Sequence, residues 1–168
     1  MSVKYKSKKE KKEMKKKETT AIFHEDENKL VLSGTLTAFR HGVNKFDKDT
    51  EKYYLSIKAD ALPADLRTQI REKYFADCKE KFIPDTFKEG ADPENTYVNL
   101  KSLYEIPVFK EGTGNKKYTY DEVIEMGDGL PPYGSEVLLS IRLKEGALYP
   151  LALKIVTVVK SSADDYFA

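Results

Sequence analysis

The chain has 168 residues, of which 40% are hydrophobic and 34% charged, and its formal net charge is +1. This length suits one domain with a core of ordinary size. A single cysteine, Cys78, excludes a disulfide framework, and no apolar run approaches the roughly 20 residues that a membrane-spanning helix needs. Because the basic N-terminus also lacks the apolar stretch of a signal peptide, we expect a cytoplasmic protein.

The charge is unevenly distributed along the chain. Residues 1–18 hold nine Lys and three Glu, a net charge of +6, so the rest of the chain must carry −5. We interpret residues 1–22 as a basic, disordered N-terminal arm, followed by a folded domain over residues 23–160. Such an arm either attracts nucleic acid and other polyanions or only keeps the protein in solution.

In the first part of the domain, apolar and polar residues alternate in "KLVLSGTLTAFR" and again in "KYYLSIKA". This alternation predicts a long β-hairpin. One face of the first strand is expected to hold Leu30, Leu32, Gly34, Leu36 and Ala38. Phe39 falls on the opposite face, and Gly34 marks a bend or a bulge. In the second strand, Leu55 is expected to point inward with Tyr53 and Ile57, which leaves Tyr54 and Lys58 on the outer face.

A helix is predicted next, beginning at Pro63. Its apolar residues recur at four-residue steps over about five turns, at Leu66, Ile70, Tyr74, Cys78 and Phe82. Cys78 lies on this apolar stripe, so we interpret it as a core thiol and not as a nucleophile. The segment "IPDTFKEGADPEN" ends the helix and predicts an exposed loop.

The second half of the chain predicts more strands. "TYVNLKSLYEIPVF" reads as one or two strands interrupted near residues 105–107, and "KEGTGNKKYTYDE" and "GDGLPPYGSE" as a hairpin or loop and a turn. "SEVLLSIRL" and "YPLALKIVTVVK" predict a closing hairpin around "KEGA". Since five or more strands accompany one helix, we predict a mainly β fold. It is a small, closed or partly closed antiparallel barrel with one inserted helix.

Catalytic and metal-binding motifs are missing from the sequence. His24 and His41 are far apart, and the chain contains no HExxH, no CxxC and no glycine-rich phosphate-binding motif. Carboxylates are so abundant that choosing two of them as an acid–base pair would be arbitrary. We therefore expect no enzymatic activity, no cofactor and no metal site.

Basic and aromatic residues alternate in several segments of the domain. This composition suits single-stranded nucleic acid, because Lys and Arg neutralise phosphates while rings stack on bases. The candidate nucleic-acid-binding residues are Arg40, Lys45, Phe46, Lys52, Tyr54, Lys58, Lys101, Tyr104, Lys116, Lys117, Tyr118, Tyr120, Arg142 and Lys144. Ordinary alternatives stay open: Tyr54 could pack under the helix, Phe46 could anchor a solvated turn, and the strand cations could simply be solvated.

Three stretches together resemble the single-stranded DNA-binding proteins of phages, which have an OB-fold. They are "LVLSGTLTAFR…KYYLSIKA" before the helix, "PPYGSEVLLSIRL" leading through "KEG" into "YPLALKIVTVVK", and the end "ADDYFA". The resemblance covers roughly residues 25–168. It implies sequence-independent binding of single-stranded DNA during phage replication or recombination, in the host cytoplasm.

The same resemblance implies a role for residues 161–168 as an acidic, aromatic C-terminal tail. Replication or recombination proteins would bind this tail, through Asp164, Asp165, Tyr166 and Phe167. Two other classes of protein stay open. One is a protein-interaction module or structural component built on a small barrel, and the other is an RNA-binding protein. A homo-oligomer is as compatible with the sequence as a monomer.

Overall fold

The computed structural model describes residues 21–44, 47–90 and 96–158, with the backbone alone at residues 44 and 47–50. Within these ranges the strands are β1 (Ile22–His24), β2 (Lys29–Asn44), β3 (Asp47–Ala59), β4 (Tyr97–Ser102), β5 (Val108–Lys110), β6 (Glu136–Lys144) and β7 (Ala147–Thr157). The helices of the same ranges are α1 (Ala64–Tyr74) and α2 (Tyr120–Met126), besides three short 3-10 turns. Neither helix is long and apolar enough to cross a membrane. The division into arm, domain and tail stays a prediction.

All seven strands belong to one sheet, in the order β4-β3-β2-β6-β7-β5, with β1 paired to β2. Neighbours along this path are antiparallel, except that β5 and β7 run parallel. Strands β4 and β7, from opposite halves of the path, also approach each other, so the sheet curls toward closure. The prediction of a mainly β fold with a helix inserted after the first hairpin is confirmed.

A β-bulge in β2 changes which side chains face the core. The pairing with β3 shifts between Leu36 and Ala38, so Thr37 is an extra residue with no partner position. Beyond the bulge the alternation is reversed, and Phe39 points into the core with only 3% of its surface exposed. The prediction that Phe39 lies on the face opposite Leu36 is therefore wrong.

Gly34 is not the site of this bulge. It stays in register with its neighbours on both adjacent strands, Ala59 and Val137. A Cβ atom at this position would lie 2.5 Å from the carbonyl oxygen of Lys58. Gly34 is thus required because the backbones of β2 and β3 approach too closely for any side chain.

Helix α1 ends at Tyr74, well short of the five turns predicted. Tyr74 and Phe75 are adjacent and both buried, and the carbonyl of Tyr74 accepts a hydrogen bond of 2.7 Å from the N–H of Gly146 in the β6–β7 turn. Cys78 packs half-buried against the core, and Phe82 is 65% exposed. The predicted apolar stripe therefore breaks where the chain turns to bury two consecutive aromatic residues.

The segment after α1 contributes to the core, although the sequence predicts an exposed loop there. Phe87 is fully buried, and its ring stacks on that of Phe75 with 5.7 Å between the ring centroids. The guanidinium of Arg71 donates a hydrogen bond of 3.0 Å to the carbonyl of Phe87, which ties this segment to α1.

Helix α2 lies where the sequence predicts a hairpin or loop. The backbone N–H of Thr119 donates to the Glu122 carboxylate at 3.0 Å, and the backbone N–H of Glu122 donates to the Thr119 hydroxyl at 3.2 Å. The hydrogen bond from the Thr119 backbone is the main reason that the pKa of Glu122 is lowered. This capping box was readable in the sequence as Thr-x-x-Glu.

The closing hairpin is confirmed. Strand β6 buries one face, formed by Val137, Leu139, Ile141 and Leu143. Strand β7 buries Leu153 and Ile155, which lie on one face, and leaves most of its other side chains half-exposed, so only one of its faces holds fully buried residues. The turn between the strands holds Gly146 at a φ of +71°, a conformation that favours glycine.

Candidate nucleic-acid interface

One side of the three-stranded segment β2–β3–β4 points away from the core, and we call it the outer face. Its described residues are Thr35, Ala38, Arg40, Gly42, Lys52, Tyr54, Ser56, Lys58, Tyr97, Asn99 and Lys101. The intervening residues of β3, Leu55 and Ile57, are buried. Tyr54 and Lys58 therefore share the outer face, as the alternation in the sequence predicted.

The centre of the outer face is a row of three side chains on adjacent strands. Tyr54 on β3 is directly opposite Arg40 on β2 and Lys101 on β4. The guanidinium carbon of Arg40 lies 4.3 Å from the centroid of the Tyr54 ring, a cation–π contact. Neighbouring strands are about 4.8 Å apart, so the row places a ring between two cations within about 10 Å.

The outer face carries two more cations beside the central row. Lys52 and Lys58 lie on β3 to either side of the central row, and no described residue of this face carries a carboxylate. Beside the row, the hydroxyl of Ser56 donates to the side-chain oxygen of Asn99 at 2.6 Å, so polar side chains continue across the strands. The net charge of −5 outside the arm is therefore compatible with a locally basic surface.

The opposite side of the same hairpin carries a ring cluster made of Phe39, His41, Tyr53 and Tyr120. The His41 and Tyr53 rings are stacked, with centroids 4.0 Å apart and planes 3° apart. Phe39 stacks on Tyr120 at 5.1 Å, and Tyr120 meets the other two rings edge-on. The bulge at Thr37 creates this cluster, since it brings Phe39 and His41 to the side of Tyr53. Sequence analysis missed the role of His41 because no signal located the bulge.

Carboxylates surround the ring cluster. Burial raises the pKa of Tyr53, and the nearby charges of Glu105, Glu51 and Asp121 raise it further. Glu51 also lies 3.6 Å from the imidazole of His41. The hairpin therefore has a basic outer face and an acidic, aromatic inner side, and a phosphate backbone is attracted only to the first.

The structure divides the predicted loop residues between different environments. Tyr118 is half-buried, its backbone N–H donates to the Val108 carbonyl at 2.8 Å, and Lys116 lies 4.7 Å from its ring. Lys117 is exposed, whereas Tyr120 belongs to the ring cluster. The predicted loop is thus not a single binding element.

At the end of β4, Tyr104 is 80% exposed. It follows shortly after Ser102, which pairs with Tyr53 on β3, and its backbone N–H donates to the Ser102 hydroxyl. Tyr104 therefore lies at the same end of the hairpin as the central row and the ring cluster.

Two predicted cations lie elsewhere. Arg142 pairs with Lys29 at the start of β2, while Arg40, with Tyr54 opposite it on β3, lies toward the other end of β2. Lys144 lies 5.3 Å from the ring of Tyr149, an exposed residue that sequence analysis did not single out. These residues form a second basic and aromatic patch, separate from the outer face.

Some predicted residues lie outside the described part of the chain. They are Lys45 and Phe46 at the hairpin tip, and Asp164, Asp165, Tyr166 and Phe167 in the tail. In the part of the chain that the structure does describe, no group of three His, Cys, Asp or Glu side chains is placed to hold a metal ion.

Comparisons with known proteins support the fold. No protein-family model matches the chain, and no curated protein matches it in sequence. Its structure is similar to that of the single-stranded DNA-binding protein from bacteriophage Enc34, with a TM-score of 0.52 and 9% sequence identity. The match covers 89% of this chain and 94% of the phage protein. The chain therefore has an OB-fold-like architecture, the fold of a phage single-stranded DNA-binding protein.

Proposed function

We propose that the chain is a sequence-independent single-stranded DNA-binding protein whose DNA lies along the outer face. The observation that carries this proposal is the central row of Arg40, Tyr54 and Lys101, which sets an aromatic ring between two cations on a surface whose described residues include no carboxylate. OB-folds bind oligonucleotides on the face of two neighbouring strands and the loops beside them, and the similarity to a phage single-stranded DNA-binding protein adds support.

Binding on this surface combines two kinds of contact. The Arg40 and Lys101 cations neutralise phosphates and release counterions, which supplies affinity without regard to sequence. The ring of Tyr54, with Arg40 over one of its faces, offers a stacking platform for a base. Every base has a π-face, so the platform does not select among them. No bond is made or broken in this mechanism, and we accordingly infer that the protein is not an enzyme.

A titration of labelled oligo-dT across a range of salt concentrations tests the proposal. Each phosphate contact to a single strand contributes about −0.7 to the slope of log K against log salt, so Arg40 and Lys101 alone predict a slope of about −1.4, and every further cation that contacts a phosphate makes the slope steeper. A matched duplex measures the strand preference. Affinity that depends neither on salt nor on strandedness would contradict the proposal.

The same titration separates the alternatives. A matched oligo-rU that binds more tightly than oligo-dT would indicate an RNA-binding protein. Purified protein that binds no oligonucleotide and carries no copurifying nucleic acid before a high-salt wash would indicate a protein-interaction module. Copurifying nucleic acid is detected from the ratio of absorbance at 260 and 280 nm.

We further propose that the protein acts in phage DNA replication or recombination in the host cytoplasm, and that residues 161–168 recruit the partner proteins. The tail holds Asp164 and Asp165 directly before two aromatic residues, so it can compete with DNA for a basic, aromatic surface. Deleting residues 161–168 is expected to raise affinity for oligo-dT at low salt and to abolish capture of replication proteins. If neither property changes, the tail has no such role.

A further inference from the structure

A second exposed surface lies at the end of the hairpin, beside the ring cluster. Leu103 and Tyr104 follow β4 and are 58% and 80% exposed, next to the position where Ser102 pairs with Tyr53. Glu105 comes next and accepts a hydrogen bond of 2.7 Å from the backbone N–H of Tyr120. We call this the acidic aromatic surface: His41, Tyr53, Leu103, Tyr104 and Tyr120, with Glu51, Glu105 and Asp121.

The chemistry of this surface suits lysine side chains. Aromatic rings attract an ammonium group through their negative faces, and carboxylates attract it through their charge. Exposed apolar side chains such as Leu103 can also pack against the aliphatic stem of a lysine. Glu51 and Asp121 are exposed, so a cation from solvent can reach both. Phosphates are repelled here, which makes the surface unsuitable for the DNA backbone.

We propose that the acidic aromatic surface binds the lysine-rich residues 4–12 of the chain's own N-terminal segment. Charge complementarity supports this occupant, since residues 1–18 carry +6 and the rest of the chain carries −5. The lysines between residues 4 and 12 are Lys4, Lys6, Lys8, Lys9, Lys11 and Lys12. No described helix or strand covers Leu103 or Tyr104, so the surface is accessible to such a segment.

The length of the N-terminal segment allows this contact within one molecule. Ala21 precedes β1, which pairs with the first residues of β2, whereas His41 lies toward the other end of β2. At about 3.3 Å per residue, the distance along β2 from Val31 to His41 is about 33 Å. An extended chain from Ala21 back to Lys12 spans about 30 Å, and one back to Lys4 about 56 Å, so residues 4–12 cover the required distance.

This contact would give the N-terminal lysines two alternative partners. Without DNA they lie on the acidic aromatic surface. Once a strand occupies the outer face, its phosphates compete for the same lysines, and the segment adds its charge to the complex. This last step rests on the proposed function, but the contact itself does not, because it involves only the protein.

Zero-length carbodiimide coupling of the full chain, without nucleic acid, locates the contact. We expect amide links between residues 4–12 and the group Glu51, Glu105 and Asp121, with a yield that falls as salt rises. Coupling a mixture of ¹⁴N- and ¹⁵N-labelled protein distinguishes links within one molecule from links between two molecules. We expect the links to join residues that carry the same label. Links mainly to Glu25–Glu27 beside β1, to the tail carboxylates, or only between labels would overturn the proposal.

Trypsin cleavage in the N-terminal segment measures occupancy of the surface independently. The triple variant E51Q/E105Q/D121N removes the charges but keeps the hydrogen-bond acceptor at residue 105. We expect initial cleavage after Lys4–Lys12 to become several-fold faster, because bound lysines are protected. The matched control E27Q, also an exposed carboxylate, is expected to leave the rate unchanged. Equal rates in all three proteins would overturn the proposal, and oligo-dT binding would be unaffected by that result.

Discussion

Replacing Tyr54 with alanine is expected to weaken oligo-dT binding by about 5- to 150-fold, the effect of losing one base-stacking ring. Tyr54 lies at the centre of the outer face, where Arg40 covers one side of its ring and Lys101 is opposite on β4. Because the ring is outside the buried core, folding should be little affected. Fluorescence anisotropy with labelled oligo-dT measures affinity, and thermal unfolding of the same samples measures stability.

Two matched variants make this result specific. Tyr54→Phe keeps the ring and is expected to retain nearly all of the affinity. Tyr149→Ala removes another exposed ring beside a lysine, Lys144, on β7 opposite Arg142 of β6. It is expected to have a clearly smaller effect. Equal losses of affinity for Tyr54→Ala and Tyr149→Ala would show that the binding surface is not centred on the central row. Unchanged affinity in both variants would show that stacking on these rings does not contribute to binding.

Phe87→Ala is expected to destabilise the protein by about 3–5 kcal/mol, as is typical for truncating a fully buried aromatic residue. Its ring is completely buried and stacks on Phe75. Phe82, five positions earlier, is 65% exposed, and Phe82→Ala should change stability by no more than about 0.5 kcal/mol. These two variants are informative because the sequence pattern places Phe82 on the apolar stripe of the helix and Phe87 in an exposed loop. It therefore predicts the larger destabilisation for Phe82→Ala.

Urea unfolding followed by circular dichroism measures both free energies of unfolding. The expected result is a large fall in the urea midpoint for Phe87→Ala and an unchanged midpoint for Phe82→Ala, with similar slopes. A destabilisation of equal size in both variants would show that Phe82 is buried and that α1 continues beyond Tyr74. Since neither residue lies on the outer face, a folded Phe82→Ala protein should also bind oligo-dT normally.

The strands were predictable because alternating burial leaves a direct trace in the sequence. Leu55 and Ile57 are buried and Tyr54 and Lys58 are on the other face, as the period of two in "KYYLSIKA" requires. The closing hairpin was found for the same reason. The same pattern predicts that Tyr54 and Lys58 lie together on the outer face, so this part of the candidate site follows from the sequence.

Features that depend on contacts between distant segments were not predictable. The end of α1 is fixed by Gly146, far along the chain, which bonds to the carbonyl of Tyr74. The bulge at Thr37 leaves no mark in composition, yet it decides that Phe39 and His41 face Tyr53. Helix α2 is different, because the Thr-x-x-Glu capping box that begins it at Thr119 is visible in the sequence itself.

The two sides of the β2–β3 hairpin also determine how the molecule meets a charged polymer. In molecules whose N-terminal lysines have left the acidic aromatic surface, the cations on one side and the carboxylates on the other give this region an electric dipole roughly perpendicular to the strands. In the field of a polyanion such a dipole rotates the molecule before contact, so that Arg40 and Lys101 arrive first. The torque acts over about one Debye length, roughly 8 Å at physiological ionic strength. Productive encounters would therefore be selected during approach, and added salt would slow association by removing this orientation.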